Sequence, residues 1–483
     1  MVPSTTGGHE ELGMRSSLAA AAGRLIPSPV LERIAPLLQV IKPTSPDTDD
    51  RSAAGRMALV AFSVRVASAA IAYLSQIFLA RWMGSFEYGI FVVVWTWVLI
   101  LGALVHLGFA TSVIRLIPEF LATEKLSQLR GLLVGSRVIA VLFATVVAGL
   151  GILGAYLFEN VISSHYVLPV YLAAVCLPLF TLSEVQDGIC RAFNWTDLAL
   201  APTYLWRPVL ILSLMFVAGL MGADLDATTA CVAAIGATWF TAVAQLLMLR
   251  GRTREQIDPG PREYHAMEWI RISVPILFVE GFFILLTSTD VVILGQLVSH
   301  DQVAVYFAAA KTLALVHFVH YSVRVATAHR FSKLYHSGDT AGLARMVRDS
   351  VSWTFWPSLA LAAMLMVAGK PLLSLFGAGF TDGYMLLFVL VIGILARASL
   401  GPVESLLTMA HLQNYAASVY GGTFLLNATL CFILIPIFGL MGAAVATAFS
   451  MVFEATALYW VTRRYLGLRV FIFSRQPADQ PAE

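Results

Sequence analysis

Twelve long apolar segments constrain the fold of this chain more than any other feature. Each approaches or exceeds the ~20 apolar residues that an α-helix needs to cross a bilayer. They lie at residues 57–80, 87–112, 131–158, 166–190, 198–220, 227–249, 269–296, 303–328, 350–368, 382–410, 413–436 and 438–462. Because backbone groups in lipid must hydrogen-bond internally, and because the segments are too long for barrel strands, they predict transmembrane helices.

The composition agrees with a polytopic membrane protein. Of the 483 residues, 58% are hydrophobic and only 12% are charged, about half the ~25% that is usual in soluble domains. This composition excludes a soluble domain and also low-complexity disorder, which needs low hydrophobicity. The net charge of +2 gives no reason to expect nucleic acid as a partner. The four cysteines lie in apolar segments without a CxxC pattern, so neither a metal nor another cofactor is expected.

Basic residues predict the orientation of the helices. The N-terminal segment, the connections after even-numbered segments and the C-terminal tail together carry 22 Lys and Arg, whereas the remaining connections carry only Arg81 and Lys370. The positive-inside rule therefore places both termini in the cytoplasm. We expect residues 1–56 to be a mostly disordered cytoplasmic extension and residues 466–483 a cytoplasmic tail.

An internal repeat divides the chain into two halves. The pentapeptide GLMGA occurs at residues 219–223 and 439–443, an offset of 220, and two further matches lie at offsets near 215. We therefore expect two pseudo-symmetric six-helix bundles in an all-α fold: a first half, residues 57–250, and a second half, residues 269–465, joined by a cytoplasmic linker, residues 251–268. Two such bundles leave a central cavity between them, which is the basis of alternating access.

Two stretches of the chain resemble a known family. They read SQIFLARWMGSFEYGIFVVVWTWV, from Ser75, and LGFATSVIRLIPEFLA, from Leu107. They are similar to the signature of polysaccharide-biosynthesis (Wzx-type) flippases of the multidrug/oligosaccharidyl-lipid/polysaccharide exporter superfamily. The resemblance implies flipping of an undecaprenyl-diphosphate-linked oligosaccharide across the bacterial inner membrane, for surface polysaccharides such as lipopolysaccharide or exopolysaccharide. The expected partners are that lipid, membrane lipids and a polymerase or export complex.

Charged side chains inside the membrane indicate the substrate cavity, since each costs about 3 kcal/mol or more at mid-helix. Arg65 shares one face of the first segment with Ser68 and Ser75, and this small polar face suits a cavity lining for the diphosphate. An alternative interpretation is that Arg65 snorkels to the interface. The repeat aligns Arg65 with Glu280, so we expect these two residues to face each other across the cavity.

Two further segments supply candidate site residues. Glu280 and Asp290 share a face of the seventh segment and are predicted to carry a coupling ion or to act in gating. On the eighth segment, Lys311 lies beside a stripe that contains His317, His320, Tyr321 and Arg324; together they offer the positive charge, aromatic rings and hydrogen-bond donors that a sugar diphosphate needs. An ordinary helix–helix contact, with Arg324 at the surface, is the alternative interpretation of this stripe.

Glu184 and Glu404 correspond at the offset of 220 and are interpreted as structural charges. We expect Glu184 to pair with Arg191 and Glu404 to pair with Arg397, with gating as the alternative role.

Two other function classes are alternatives to the flippase. A multidrug or organic-cation antiporter of the same superfamily is the main alternative, although it favours an acidic cavity and the intramembrane charges here are balanced. A membrane enzyme that acts on lipid-linked sugars needs catalytic groups and a large external loop. The sequence contains no nucleophile–base constellation and its external connections are short, so no enzymatic activity is expected.

Overall fold

The computed structural model describes residues 50–158, 164–410 and 412–474, with side chains from Ser68 onward apart from 164–169 and a few scattered positions. Two compact units are distinguished, Met1–Arg65 and Val66–Glu483. Of the first unit, the structure describes the beginning of one helix. Most of the predicted N-terminal extension, the side chain of Arg65 and the last nine residues of the tail lie outside the described residues.

The described chain is helical and contains no strand. The first half forms α1 (Asp50–Val105), α2 (Phe109–Ala122), α3 (Leu126–Leu157), α4 (Ser164–Ala192), α5 (Thr196–Ala201), a π-helical turn (Pro202–Trp206), α6 (Arg207–Leu220) and α7 (Ala227–Gln256). The second half forms α8 (Ala266–Leu286), α9 (Thr289–Leu297), α10 (His300–Ala314), α11 (His317–His336), α12 (Thr340–Ser374), a 3₁₀ turn (Phe380–Gly383), α13 (Tyr384–Ala398), α14 (Val403–Met409), α15 (Gln413–Phe438) and α16 (Leu440–Leu466).

Helix α1 contains two membrane spans. Within the second unit, α1 and α2 together form an apolar stretch, Ser68–Ala122, whose 55 residues correspond to about 82 Å at 1.5 Å per residue, more than twice the ~30 Å of a hydrocarbon core. At Gly84 the backbone leaves the helical region (φ 77, ψ 169), a conformation that a residue with a Cβ adopts only at a cost. The described chain offers ten helices long and apolar enough to cross a membrane, eleven if the bent pair α10–α11 forms one span. The kink at Gly84 brings the count to twelve and confirms the predicted architecture.

The second half contains three spans that are interrupted near their middle. Helix α8 gives way to α9 at Thr287–Ser288, α10 and α11 are bent by 40°, and α13 is separated from α14 by residues 399–402. Backbone interruptions at membrane depth are tolerated where they are enclosed by protein or line a wet cavity. The sequence predicted these three spans as single continuous segments, so the interruptions are a finding of the structure.

The loops of the bundle lie at two ends. The basic end carries the connections α2–α3, α7–α8, α11–α12 and α14–α15, and the opposite end carries the Gly84 kink and the connections α6–α7, α9–α10, α12–α13 and α15–α16. Large apolar side chains remain exposed along the helices between the two ends, including Leu150 (63%) and Val367 (85%). Such surfaces are normal against lipid but rare in contact with water. The boundaries assigned to the two bundles, the linker and the tail stay predictions.

Candidate functional site: a cavity between the two halves

The two halves share one apolar core at the end of the bundle opposite the basic end, which is called the opposite end below. The first half contributes Ile77, Leu79, Ala80, Tyr88 and residues 90–94, and the second half contributes Val291, Ile293, Leu294, residues 303–306, Ala308, Ala309, Leu386, Leu387 and Leu390. The approach is close, because a Cβ on Gly89 would lie 2.0 Å from the carbonyl oxygen of His300. Burial of this much apolar surface across the junction holds the halves together at this end.

Hydrogen bonds reinforce the junction at the opposite end. The Ser85 hydroxyl donates to the Asp301 carboxylate. Arg81 donates through Nε to the carbonyl of Leu375 (2.6 Å) and through Nη2 to that of Ser374 (3.2 Å). Arg81, which the topology prediction counted among the few basic residues of this end, therefore ties α1 to the α12–α13 connection.

The apolar packing divides at the basic end. One cluster joins α2, α3, α4 and α7 with Trp269 of α8, and a separate cluster joins α11, α12, α14, α15 and α16. On one side the halves stay in contact through α2 and α8. There Ser273 donates to Ser112 (2.6 Å), and Gly108 (φ 79) lets the carbonyl oxygen of Ser273 approach to 2.3 Å from the position of a Cβ. The core is thus shared at the opposite end and split at the basic end.

A central cavity of about 210 Å³ lies between the halves. Helix α1 contributes residues from both sides of its kink, and α10, α11 and their connection form the other wall. The lining residues are Ala69, Ala72, Tyr73, Gln76, Phe91, Val92, Trp95, Thr96, Leu99, Phe307, Lys311, Ala314, Leu315 and Phe318. The Tyr73 hydroxyl spans the cavity margin to Thr312 (2.9 Å). Lys311 is the only basic or acidic side chain among these lining residues.

Lys311 is exposed to the cavities although it lies in the middle of the bundle. Its Nζ is 4.8 Å from the centre of the Phe307 ring, a cation–π geometry that leaves the ammonium hydrogens available to a ligand. A second cavity of about 240 Å³, inside the second half, is also lined by Lys311 and Phe307. Helix α10 therefore forms the wall between the two cavities, and Lys311 borders both.

Asp290 occupies the second-half cavity at the start of α9. Its Oδ2 accepts hydrogen bonds from Tyr306 (2.6 Å) and Thr447 (3.4 Å), and its Oδ1 accepts from the backbone of Val291 (2.9 Å). Asn427 lines the same cavity, and its Nδ2 is buried without a hydrogen-bond partner. This constellation of oxygen ligands at a broken helix suits a cation or a proton. Among the described residues, no group of three His, Cys, Asp or Glu side chains is placed to ligate a metal.

The structure separates the remaining predicted cavity residues. Ser68 and Ser75 are buried on α1, and Ser75 donates to its own helix at Ala72, whereas their neighbours Tyr73 and Gln76 line the central cavity. His317 lines the second-half cavity. Tyr321 and Arg324 lie further along α11 and are exposed, outside the lining of both cavities.

The predicted pairing of Arg65 with Glu280 stays a prediction, since the side chain of Arg65 is not described. Glu280 itself accepts a hydrogen bond from Thr111 of α2. Its place is thus the contact between α2 and α8, at the margin of the two halves.

Of the two predicted structural ion pairs, one is confirmed and one is wrong. Arg397 lies 3.6 Å from Glu404, as expected. Arg191 pairs with Asp187 (3.9 Å) and, within the described residues, not with Glu184. The reason is helical geometry, because Asp187 precedes Arg191 by one turn whereas Glu184 precedes it by two. The (i, i+4) spacing of Asp187 and Arg191 in the sequence was sufficient to predict this pair.

Comparisons with known proteins agree with this architecture. A multidrug-resistance MATE transporter of the MOP superfamily, in an inward-facing conformation, superimposes with a TM-score of 0.69 at 15% identity, over 85% of this chain and 98% of its own. The lipid II flippase MurJ, in an inward closed conformation, gives 0.67 at 13% identity, over 84% and 87%. A MOP-superfamily transporter from Pyrococcus furiosus gives 0.64 at 14% identity, over 87% and 96%. At these identities the likeness concerns the fold.

A comparison with curated proteins finds no match. The model of the family described as polysaccharide biosynthesis protein matches residues 54–335, more than half of the chain. The matched region includes the Gly84 kink and both walls of the central cavity. The fold is that of the MOP transporters and flippases, and the chain belongs to the polysaccharide biosynthesis protein family of membrane proteins.

Proposed function

We propose that this protein flips an undecaprenyl-diphosphate-linked oligosaccharide from the cytoplasmic to the periplasmic leaflet of the bacterial inner membrane by alternating access. The observation that carries the proposal is the exposed ammonium of Lys311 in a cavity lined by both halves. A diphosphate is a compact anion that attracts such a cation, whereas an organic-cation substrate would be repelled by it.

The size of the central cavity supports binding of the head group rather than of the whole lipid. At about 210 Å³ it lies below the ~300–1,000 Å³ of ordinary small-molecule pockets, so it suits the diphosphate and its adjoining sugar. The aromatic rings of Trp95 and Phe318 in its lining offer flat surfaces for sugar stacking. The polyprenyl tail would stay in the lipid, where its apolar surface costs nothing to keep.

The packing supports a direction of opening. The shared core closes the opposite end, and the split core leaves the basic end free to admit a head group. With the basic end in the cytoplasm, as the positive-inside rule predicts, this conformation would receive the lipid on the side where it is made. Movement of the halves about the α2–α8 contact would then expose the cavity to the periplasm.

Lys311 also suggests how an ion is coupled to the lipid. Because it borders both cavities, its ammonium interacts electrostatically with Asp290 as well as with a bound diphosphate. An anion in the central cavity would draw Lys311 away from Asp290, whose carboxylate would then favour a cation or a proton. Asp290 is therefore proposed as the primary carrier, with Glu280 at the α2–α8 contact in a gating role.

The proposal is tested with the full-length protein in proteoliposomes that contain a fluorescent polyprenyl-diphosphate oligosaccharide in the outer leaflet. We expect loss of leaflet asymmetry that depends on the protein and is slowed by Lys311→Met. A fluorescent organic cation, offered to the same vesicles under proton and sodium gradients, should not be transported. Transport of the cation without flipping of the lipid would establish the antiporter instead.

A further inference from the structure

Four ionisable side chains form a network beside the second-half cavity. His320 of α11 contacts Glu404 of α14, with His320 Nε2 at 2.8 Å from Glu404 Oε1. Arg397, at the end of α13, lies 3.6 Å from Glu404 on one side and 3.6 Å from Glu454 of α16 on the other. One guanidinium is thus shared between two carboxyl groups.

The surroundings of Glu404 stabilise a negative charge better than those of Glu454. Glu404 lies in the first turn of α14, where the helix dipole favours a negative charge, and it has two partners in His320 and Arg397. Glu454 is fully buried, and within the described part of the chain neither of its carboxyl oxygens has a hydrogen-bond partner. Among the described residues its one ionic contact is that with Arg397, at 3.6 Å. Glu404 is therefore the better anion of the pair.

Charge balance then requires a proton on the network. With both carboxyl groups ionised, the one guanidinium would face two carboxylates inside a low-dielectric bundle, and a carboxylate at Glu454, 3.6 Å from Arg397, is strongly disfavoured there. A single proton on Glu454 makes it neutral and leaves the Arg397–Glu404 pair intact. A buried neutral acid without partners is also far less costly than a buried carboxylate without partners.

Other ionisable groups face this network from every helix packed against it. Lys311 and Asp290 line the same cavity as Arg397 and Glu454. His317 of α11 and Tyr420 of α15 interact electrostatically with members of the network, and Arg324 of α11 interacts with Tyr420. Lys311 and Asp290 offset each other, and Arg324 is exposed, so solvent screens its charge; these groups therefore leave the buried network without the positive charge that would let Glu454 ionise unaided.

We propose that Glu454 is a proton-binding site of this protein, and that competition from Glu404 for Arg397 keeps the proton in place. The 240 Å³ cavity that Glu454 shares with Asp290 has room for several water molecules, which would carry the proton to and from the carboxyl. Thr447, Ser450 and Glu454 follow one another on one face of α16 and join the two acids by a polar lining.

The break between α13 and α14 gives the site a means of release. Arg397 and Glu404 lie on either side of residues 399–402, so a change of angle at this break would separate them. Arg397 would then pair with Glu454 alone, and the O–H bond of the Glu454 carboxyl would break, passing its proton to cavity water. The use of this step to drive transport rests on the proposed flippase function, but the proton site itself does not.

The site is tested by infrared spectroscopy of the full chain in nanodiscs near neutral pH, without substrate. The carbonyl stretch of a protonated carboxylic acid should be present in the wild type and lost in Glu454→Gln. It should also be lost in Glu404→Gln, because Arg397 then has only Glu454 as its acid and Glu454 ionises. In the control Asp290→Asn the Glu454 component should remain. Persistence of the band in Glu404→Gln, or an unchanged spectrum in Glu454→Gln, would overturn the proposal.

A transport measurement separates this site from the flippase function. In proteoliposomes, we expect an imposed pH gradient to change the wild-type flipping rate severalfold and to leave the rate of Glu454→Gln unchanged. An equal response of the two proteins to the gradient would overturn the role of Glu454 in coupling. Absence of flipping by the wild type would refute the flippase function, while the infrared result would still decide the proton site.

Discussion

Replacement of Lys311 by methionine removes the one charge in the central cavity while keeping a long unbranched side chain. Two unit charges about 4 Å apart interact by about 4 kcal/mol at an effective dielectric constant near 20. Because Lys311 is exposed to its cavity, solvent screens part of this interaction. A hydrogen bond to a charged group contributes about 1.5–3 kcal/mol net, and we take this range as the expected loss of binding free energy in Lys311→Met.

This range converts to a tenfold to hundredfold weaker affinity for a polyprenyl diphosphate, at about 1.4 kcal/mol per tenfold. The assay is titration of the lipid into nanodisc-embedded protein, with the dissociation constants of the wild type and Lys311→Met compared. A polyprenyl-linked sugar without phosphate should bind equally to both proteins, since it carries no charge for Lys311 to contact. The expected difference is therefore specific to the anion.

Lys370→Met is the matched control for this prediction. Its ammonium lies over the Tyr384 ring at 5.2 Å, a cation–π contact like that of Lys311, but at the opposite end and outside both cavities. It should leave the affinity for the diphosphate unchanged. Lys311→Met should leave the thermal midpoint nearly unchanged, because methionine keeps a long unbranched side chain against the Phe307 ring. Unchanged diphosphate affinity in Lys311→Met, or an equal loss for the uncharged lipid, would refute the reasoning.

Two further predictions concern the junction of the halves and the coupling site. Gly89→Ala should destabilise the protein by about 1–3 kcal/mol, because its Cβ would meet the His300 carbonyl. The control Gly149→Ala, on the open face of α3, should be neutral or slightly stabilising. Thermal unfolding of both variants in nanodiscs checks this, and equal thermal midpoints would contradict the tight junction. Asp290→Asn should bind the lipid as the wild type does but lose the response of flipping to imposed proton and sodium gradients; a retained response to both would exclude Asp290 as the carrier.

Much of the fold could be predicted because the bilayer imposes a simple rule on the sequence. Apolar length gives the twelve spans, and the predicted ends agree with the helices to within a few residues at most positions, although α12 begins ten residues earlier than predicted. The interruptions at 287–288, 315–316 and 399–402 were missed, because their polar residues are few and the surrounding apolar segments run through them. The first two depend on packing within the second half, whereas Gly401 (φ 63) and Pro402 are a local signal for the third.

The site was predicted less completely, and the reason is helix rotation. The polar face of α1 was placed on Ser68 and Ser75, but Tyr73 and Gln76 line the cavity, since packing against α10 decides which face is presented. Lys311 was identified because a charge in an apolar segment needs a cavity. Glu454 was not assigned a role, because its contact with Arg397 joins residues 57 positions apart. The spacing of Thr447, Ser450 and Glu454 on one face of α16 was the available signal.

The central claim is that the halves must separate at the opposite end for the lipid to cross. The variant S85C/D301C places a cysteine on each side of the junction, where Ser85 now donates to Asp301. The four natural cysteines are buried, so oxidation should join only the introduced pair. With the pair reduced, we expect flipping of the lipid-linked oligosaccharide at a rate near that of either single variant. With the pair oxidised, we expect flipping to stop. Continued flipping after complete cross-linking would contradict alternating access.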